Sequence, residues 1–320
     1  MMNKRAFLKA MGLAAALPAS SVMAQSSTRP IRLITSLPAG SAIDFQARLI
    51  APYLSASLGQ TVVVENKPGG KDIIALSDLI KAEPDGNTLY MGSQSPYAIN
   101  VAMVKNLPYD PKRDLSPIGG VSFTNHVLLV KSNFPAKTFA EFIAYAKKNP
   151  GKVSVGHATS LVQMEINAIN SMAGVELLPV PYKGTPATLT DVIGGSLTAT
   201  MMDPGNAIPQ IKSGQMRGLA VTSIKRNPNT PDIPAISETL PGYDFPAWTA
   251  MVGPAGMKRE LVTKINAALV SALKQKDVVD KLAQAATNPF ITTPDELKGL
   301  IESDIAKWLK MTKEANIQPE

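Results

Sequence analysis

Apolar positions along the chain follow two alternating periods. Ile31 to Ser36 is a short strand-forming run, and after a break at Pro38 and Gly40 the positions Ile43, Ala47, Ile50 and Leu54 recur at helical spacing. A β-branched strand over Thr61 to Glu65 comes next, then a helix over Asp72 to Ala82 carrying Ile73, Leu76, Leu79 and Ile80. The Pro84-Asp-Gly86 turn stops that helix, and Thr88 to Gly92 reads as the next strand, completing a βαβ unit. The theme repeats with a helix over Thr138 to Lys148, capped by Thr138 and Glu141, a strand over Lys152 to Val155, and a helix from about Val162 to Met172. Strands around Leu177 to Val180, Leu197 to Met202 and Gly218 to Thr222 follow, with a helix over Ala187 to Ile193 between the first two. Further on, Leu261, Ile265 and Leu269 share one helical face, and Thr293-Pro-Asp-Glu296 caps a helix carrying Ile305, Leu309 and a core Trp308. Parallel strands joined by helices demand right-handed crossovers and sheets covered on both faces. The pattern predicts an α/β chain with two sheets, without an internal repeat or a flexible linker between them.

The first 24 residues stand outside this pattern. Asn3-Lys-Arg-Ala-Phe-Leu-Lys9 is a basic start, Ala10 to Ala19 is apolar, and Val22-Met-Ala24 fits a small-residue cleavage site before Gln25. The reading is an export leader over 1–24, cut after Ala24. Lys4-Arg5 also resembles a twin-arginine signal with lysine first, so both the Sec and Tat routes are open. The apolar stretch falls short of the roughly 20 residues that span a bilayer, and no later run approaches that length, so a soluble mature protein is expected. Loss of Lys4, Arg5 and Lys9 with the leader lowers the formal net charge from +7 to +4. Basic residues are scattered, without a stripe or aromatic stacking platform, which suits small anions and argues against a nucleic-acid partner. The chain has no cysteine, so disulfides, a thiol nucleophile and a lipoprotein anchor are excluded.

Catalytic patterns are missing: there is no Walker loop, no Gly-x-Ser-x-Gly elbow and no His-Glu-x-x-His, and His126 and His157 are the only imidazoles. No catalytic residue, metal or cofactor is assigned. Asn66-Lys-Pro-Gly-Gly-Lys-Asp72 lacks the order of a phosphate loop and reads as a strand-to-helix turn. The strongest local signal is the junction from Ile31 to Arg48, where strand, tight loop and helix meet and Ser41 with Asp44 has capping-box spacing. Free N–H groups and the dipole at such a helix start favour an anion, although an ordinary cap has the same sequence.

Pro38-Ala-Gly-Ser-Ala-Ile-Asp44, with Ala47-Arg48 behind it, resembles the signature of the Bug family, the extracytoplasmic solute receptors of tripartite tricarboxylate transporters. Further family phrases follow in order: Val63-Val-Glu-Asn-Lys-Pro-Gly69, Pro84-Asp-Gly86, Tyr109-Asp-Pro111, Val180-Pro-Tyr-Lys-Gly184, Leu219-Ala-Val-Thr-Ser223 and Pro254-Ala-Gly256. The resemblance covers nearly the whole chain after the leader. It implies a periplasmic-binding-protein fold, two α/β lobes joined by two crossing segments with the ligand cleft between them. The lobes would comprise 25–124 with 250–320, and 125–249, with crossings near Ser122 to Val130 and Phe245 to Gly253. Two loops depart from the family: Gly69-Gly70-Lys71-Asp72 replaces the usual Gly-Ala-Gly-Gly, and Val155 to Gln163 is shorter than its counterpart and ends in glutamine.

The resemblance implies that Ala39, Gly40 and Ser41 grip one ligand carboxylate through backbone donors and water. Asp44 is either the acid of the helix start or a holder of water or a ligand ammonium. The opposing lobe would supply His157, Thr159 and Ser160, from a loop after the strand ending at Val155. His157 is either a solvated loop residue or a specificity element. Tyr182, Lys183 and Gly184 stand at the family's cleft edge, before a helix with Thr185 as cap and Pro186 at its first position. Ser93, Ser95 and Asp203 sit at strand C-termini, the edge where open α/β sheets bind ligands. The implied function is a monomeric periplasmic receptor, not an enzyme, that delivers a dicarboxylate, tricarboxylate, acidic amino acid or aromatic acid to inner-membrane transporter subunits. An exported α/β enzyme acting on a carboxylate, or a receptor feeding a sensor, are the alternatives.

Overall fold

The computed structural model describes residues 29–228, 230–314 and 317–319. The leader expected over 1–24, with its cleavage after Ala24, lies outside the described residues. The chain begins with β1 (Ile31–Thr35), α1 (Ala42–Leu58), β2 (Val62–Asn66), α2 (Ile73–Ile80) and β3 (Thr88–Ser93). A π turn over Ser95–Ile99 and two short helices, α3 (Asn100–Met103) and α4 (Pro111–Asp114), lead to β4 (Leu115–Thr124). Next come β5 (Val127–Lys131), α5 (Phe139–Lys148), β6 (Val153–His157), α6 (Ser160–Ala173), β7 (Leu177–Pro181) and α7 (Thr185–Gly194). β8 (Ala199–Met202), α8 (Pro204–Lys212) and β9 (Met216–Val221) follow, then β10 (Ala247–Pro254), α9 (Arg259–Leu273), α10 (Lys276–Gln284), β11 (Asn288–Pro289) and α11 (Pro294–Glu314).

The strands form two sheets, ordered β11-β4-β10-β3-β1-β2 and β7-β6-β8-β5-β9. Each has a parallel part, β2-β1-β3 and β7-β6-β8, built from the βαβ pattern read in the sequence. Each also takes antiparallel strands, β10 and β4 in the first and β5 and β9 in the second. The chain leaves the first sheet between Thr124 and Val127 and returns between Val221 and Ala247. The two-lobed α/β architecture is therefore present. Among the described residues no helix is long and apolar enough to cross a membrane.

Local chemistry accounts for the helix starts. Ser41 Oγ accepts the Asp44 N–H at 3.3 Å, Thr138 Oγ1 accepts the Glu141 N–H at 3.2 Å, and Thr293 and Glu296 exchange bonds in a full capping box. α7 departs from expectation. Its N-cap is Gly184, with no side-chain cap, and Thr185 is already helical with Pro186 in the first turn. Two strands without a clear sequence signal, β4 and β10, carry the first sheet. Every residue of β10 is buried, so it shows no alternation, and β4 contains Pro117, Gly119 and Gly120, which ordinarily argue against a strand. A Cβ on Gly120 would lie 2.4 Å from the Phe290 carbonyl oxygen, so only glycine permits this approach of chain to chain. One apolar cluster spans both sheets, joining Ile34, Tyr90 and Tyr97 to Leu128, Phe139 and Val155. Trp308 is fully buried within it, as expected.

Candidate functional site

The C-terminal ends of β1, β3, β6 and β8 converge on a cleft between the sheets. Asn66, at the end of β2, ties the first loop together. Its Nδ2 donates to Thr35 Oγ1, the Leu37 carbonyl and Asp44 Oδ1 at 2.9 to 3.0 Å. Asp44 is buried and also accepts the Gly40 N–H at 3.1 Å and Arg48 Nε at 2.9 Å. Burial resists its ionisation, but the bonds from Arg48, Asn66 and Gly40 outweigh that resistance and hold it below the usual carboxylate range. Gly40 adopts φ 82, a left-handed turn that suits glycine. The Ser41 N–H donates to the Pro38 carbonyl at 3.2 Å. Two of the three backbone donors expected to meet a ligand, those of Gly40 and Ser41, are thus engaged within the loop itself.

Across the cleft, β6 runs two residues further than the sequence pattern indicates, so His157 ends a strand and is buried, not a solvated loop residue. Thr159 caps α6 through its side chain, and Ser160 begins that helix. Ser160 and Ser95 reach across the interface between the lobes. Ser160 Oγ donates to Asn100 Oδ1 at 2.6 Å, and the Leu161 N–H donates to Ser95 Oγ at 3.1 Å. Tyr182 donates its hydroxyl to Asp191 at 2.6 Å, and Asp203 caps α8 by accepting the Asn206 N–H at 3.0 Å. Gly184 packs against the Pro38 ring, where a Cβ would come within 2.5 Å.

Three adjoining cavities occupy the cleft. An outer one of about 290 Å³ holds His157, Thr159, Ser160, Tyr182 and Lys183 of the second lobe against Ser36 and the Gly69–Asp72 turn of the first. A central chamber of about 70 Å³ holds Ser93, Thr159 and Asp203 together with His126 and Trp248. A third, of about 280 Å³, places Gly40 and Ser41 opposite Asp203. Ala39, Asp44, Ser95 and Gly184 line none of the three. Larger cavities of about 440 and 530 Å³ lie on the first lobe alone, away from these strand ends.

Two features of the cleft escaped the sequence. Lys71 and Asp72 adopt φ 51 and φ 72, left-handed conformations that disfavour side chains, in the turn that departs from Gly-Ala-Gly-Gly. Burial raises the Asp72 carboxyl to about 6, partly offset by a hydrogen bond with Ser36. The second is His126, whose Nδ1 lies 2.8 Å from Glu165 Oε1. These residues are 39 positions apart, and the only sequence signal was the scarcity of histidine.

Residues 46–317 match the family model described as Tripartite tricarboxylate transporter family receptor. The chain is 30% identical to protein BugT of Bordetella pertussis, over 96% of this chain and 94% of BugT. Among solved structures it is similar to MatC from Rhodopseudomonas palustris with bound malate, at 28% identity and a TM-score of 0.84, covering 89% of this chain and 99% of MatC. It is also similar to an R. palustris protein solved with adipate, at 31% identity and a TM-score of 0.88, covering 92% of this chain and all of that one.

Proposed function

The chain belongs to the tripartite tricarboxylate transporter receptor family, a family of periplasmic solute-binding receptors, and from that premise we propose that it captures a small carboxylate between its lobes and presents it to membrane transporter subunits. The observation that carries this reading is the cleft, in which strand ends and helix starts of both sheets line adjoining cavities. MatC with malate and the R. palustris protein with adipate support the carboxylate class. The lobes in this proposal are 25–124 with 250–320, and 125–249. Lys183, His157, Thr159 and Tyr182 face the ligand from the second lobe, and Ser93, Gly40 and Ser41 from the first. Ser95, Ser160 and Gly184 act by holding the lobes together, and Asp44 by shaping the first loop. Closure over the ligand completes its hydrogen-bond shell from both sides, which couples the closed state to occupancy.

The test is a melting panel of the mature protein with adipate, malate, succinate, citrate, glutamate and ATP. A bound acid at a hundredfold its Kd adds about 2.7 kcal/mol of stability. A clear melting shift with at least one acid and none with ATP is expected. Response to ATP alone would refute the carboxylate reading.

A further inference from the structure

His126 stands where the chain passes from the first sheet to the second. Its N–H donates to Thr222 Oγ1 at 2.9 Å and its carbonyl accepts the Thr222 N–H at 3.0 Å, so its backbone is pinned to the end of β9. The imidazole Nδ1 is held by both oxygens of Glu165, at 2.8 and 2.9 Å. Glu165 lies inside α6 and is fully buried. A buried carboxylate behind an imidazole fixes the ring's orientation and commits Nδ1–H, which leaves Nε2 for the chamber that His126 lines.

Among the described residues, no lysine or arginine lines that chamber. Its other charged lining group is Asp203, the N-cap of α8, whose two oxygens already accept the Asn206 N–H and Nδ2 at 3.0 and 2.9 Å. Leu161, Val162, Met201 and Trp248 supply apolar walls, and the elements of the first sheet and its helices contribute Gln46, Ser93, Thr124 and Thr249, which carry no charge. We propose that His126, oriented by Glu165, donates through Nε2 to one carboxylate of the captured acid, with an apolar carbon segment of that acid against the chamber's walls. This rests on the carboxylate-receptor reading above and names the side-chain anchor of that site.

A single proton held by the His126–Glu165 pair, on Nδ1 or on the Glu165 carboxyl that burial pushes up, satisfies Nδ1 and leaves Nε2–H to donate to a ligand carboxylate. Capture is therefore linked to one proton. Burial opposes the charge on His126, but the carboxylates of Glu165 and, further off, Asp203 outweigh it and hold the imidazolium above its ordinary range. Tyr243, packed on Glu165 through a bond from its hydroxyl to the Glu165 carbonyl, stays neutral because burial pushes its phenol far up. Affinity is accordingly present below the His126 pKa and lost as pH rises through it.

The chain has two histidines, so their ring signals are resolved by NMR and assigned with one substitution, His157→Gln. The probe is adipate, or malate where adipate gives no melting shift. A saturating probe should raise the His126 pKa, and above that pKa Kd should weaken about tenfold per pH unit. His126→Gln should lose at least tenfold in affinity and its pH dependence, whereas Glu165→Gln should keep binding at acidic pH and shift the profile to lower pH. A folded His126→Gln with the Kd and pH profile of the native protein overturns the proposal and leaves the receptor reading standing. If His126→Gln does not fold, a His126 signal in the native protein that titrates identically with and without the probe overturns it too. Should no acid in the panel bind the native protein, the receptor reading falls and the anchor falls with it.

Discussion

Two aspartates of the cleft have opposite electrostatic lives. Asp44 accepts bonds from Gly40, Asn66 and Arg48, while Asp72 is buried beside Ser36 with its carboxyl at about 6. Asp44→Ala should destabilise the protein by roughly 1.5–3 kcal/mol, the range for hydrogen bonds to a charged group, measured by urea unfolding at neutral pH. Its folded pKa is depressed, so this contribution is present above the unfolded value near 4 and disappears as pH falls through the folded one. An unfolding midpoint equal to that of the native protein would show that Arg48, which is half exposed, and Asn66 find equivalent partners. Asp72 has the other sign. The folded state keeps its proton where the unfolded chain has lost it, so native stability should decline as pH rises from about 4 to 6. Asp72→Asn tolerates the same left-handed backbone and should remove that decline. An unchanged pH–stability curve in the variant would assign the decline to another group.

Elements with local causes were legible in the sequence. Ser41, Thr138 and Thr293 cap the helices their spacing predicts, and the parallel strands follow from βαβ periodicity. What the sequence hid depends on distant partners. β10 lies between β3 and β4 and is buried on both faces, so nothing in its pattern separates it from any apolar run. Thr185 looks like a cap, yet Gly184 takes that position, and Pro38 of the other lobe lies against it, a contact invisible to neighbours in sequence. His126 and Glu165 meet only once the second sheet is assembled. The Thr293 box offers a test of how much a local signal contributes. Thr293→Ala should cost about 1 kcal/mol in urea unfolding, the usual loss of a cap. A loss below a few tenths would mean that packing of Trp308 and Ile301 holds α11 without its cap.

At the scale of the whole molecule, the contacts that cross the cleft decide how readily it closes. Ser160 bonds to Asn100, the Leu161 N–H bonds to Ser95, and Gly184 meets the rigid ring of Pro38. The two hydrogen bonds contribute about 0.5–1.5 kcal/mol each to the joined arrangement, so each serine-to-alanine change should weaken acid binding by up to about tenfold without touching the ligand. Gly184 has the larger leverage. A methyl group there would come within 2.5 Å of Pro38 Cγ and Cδ, and a proline ring cannot rotate aside as a flexible side chain would. Gly184 itself is extended, at φ 177, so alanine strains no backbone and each lobe should fold as before. The added methyl should wedge the lobes apart, lowering the affinity for the best acid of the panel by tenfold or more. The radius of gyration by small-angle scattering should stay near its open value when that acid is added. A Gly184→Ala protein that binds and contracts like the native one would show that closure bypasses this contact, and the lobes would then have to meet on a different face.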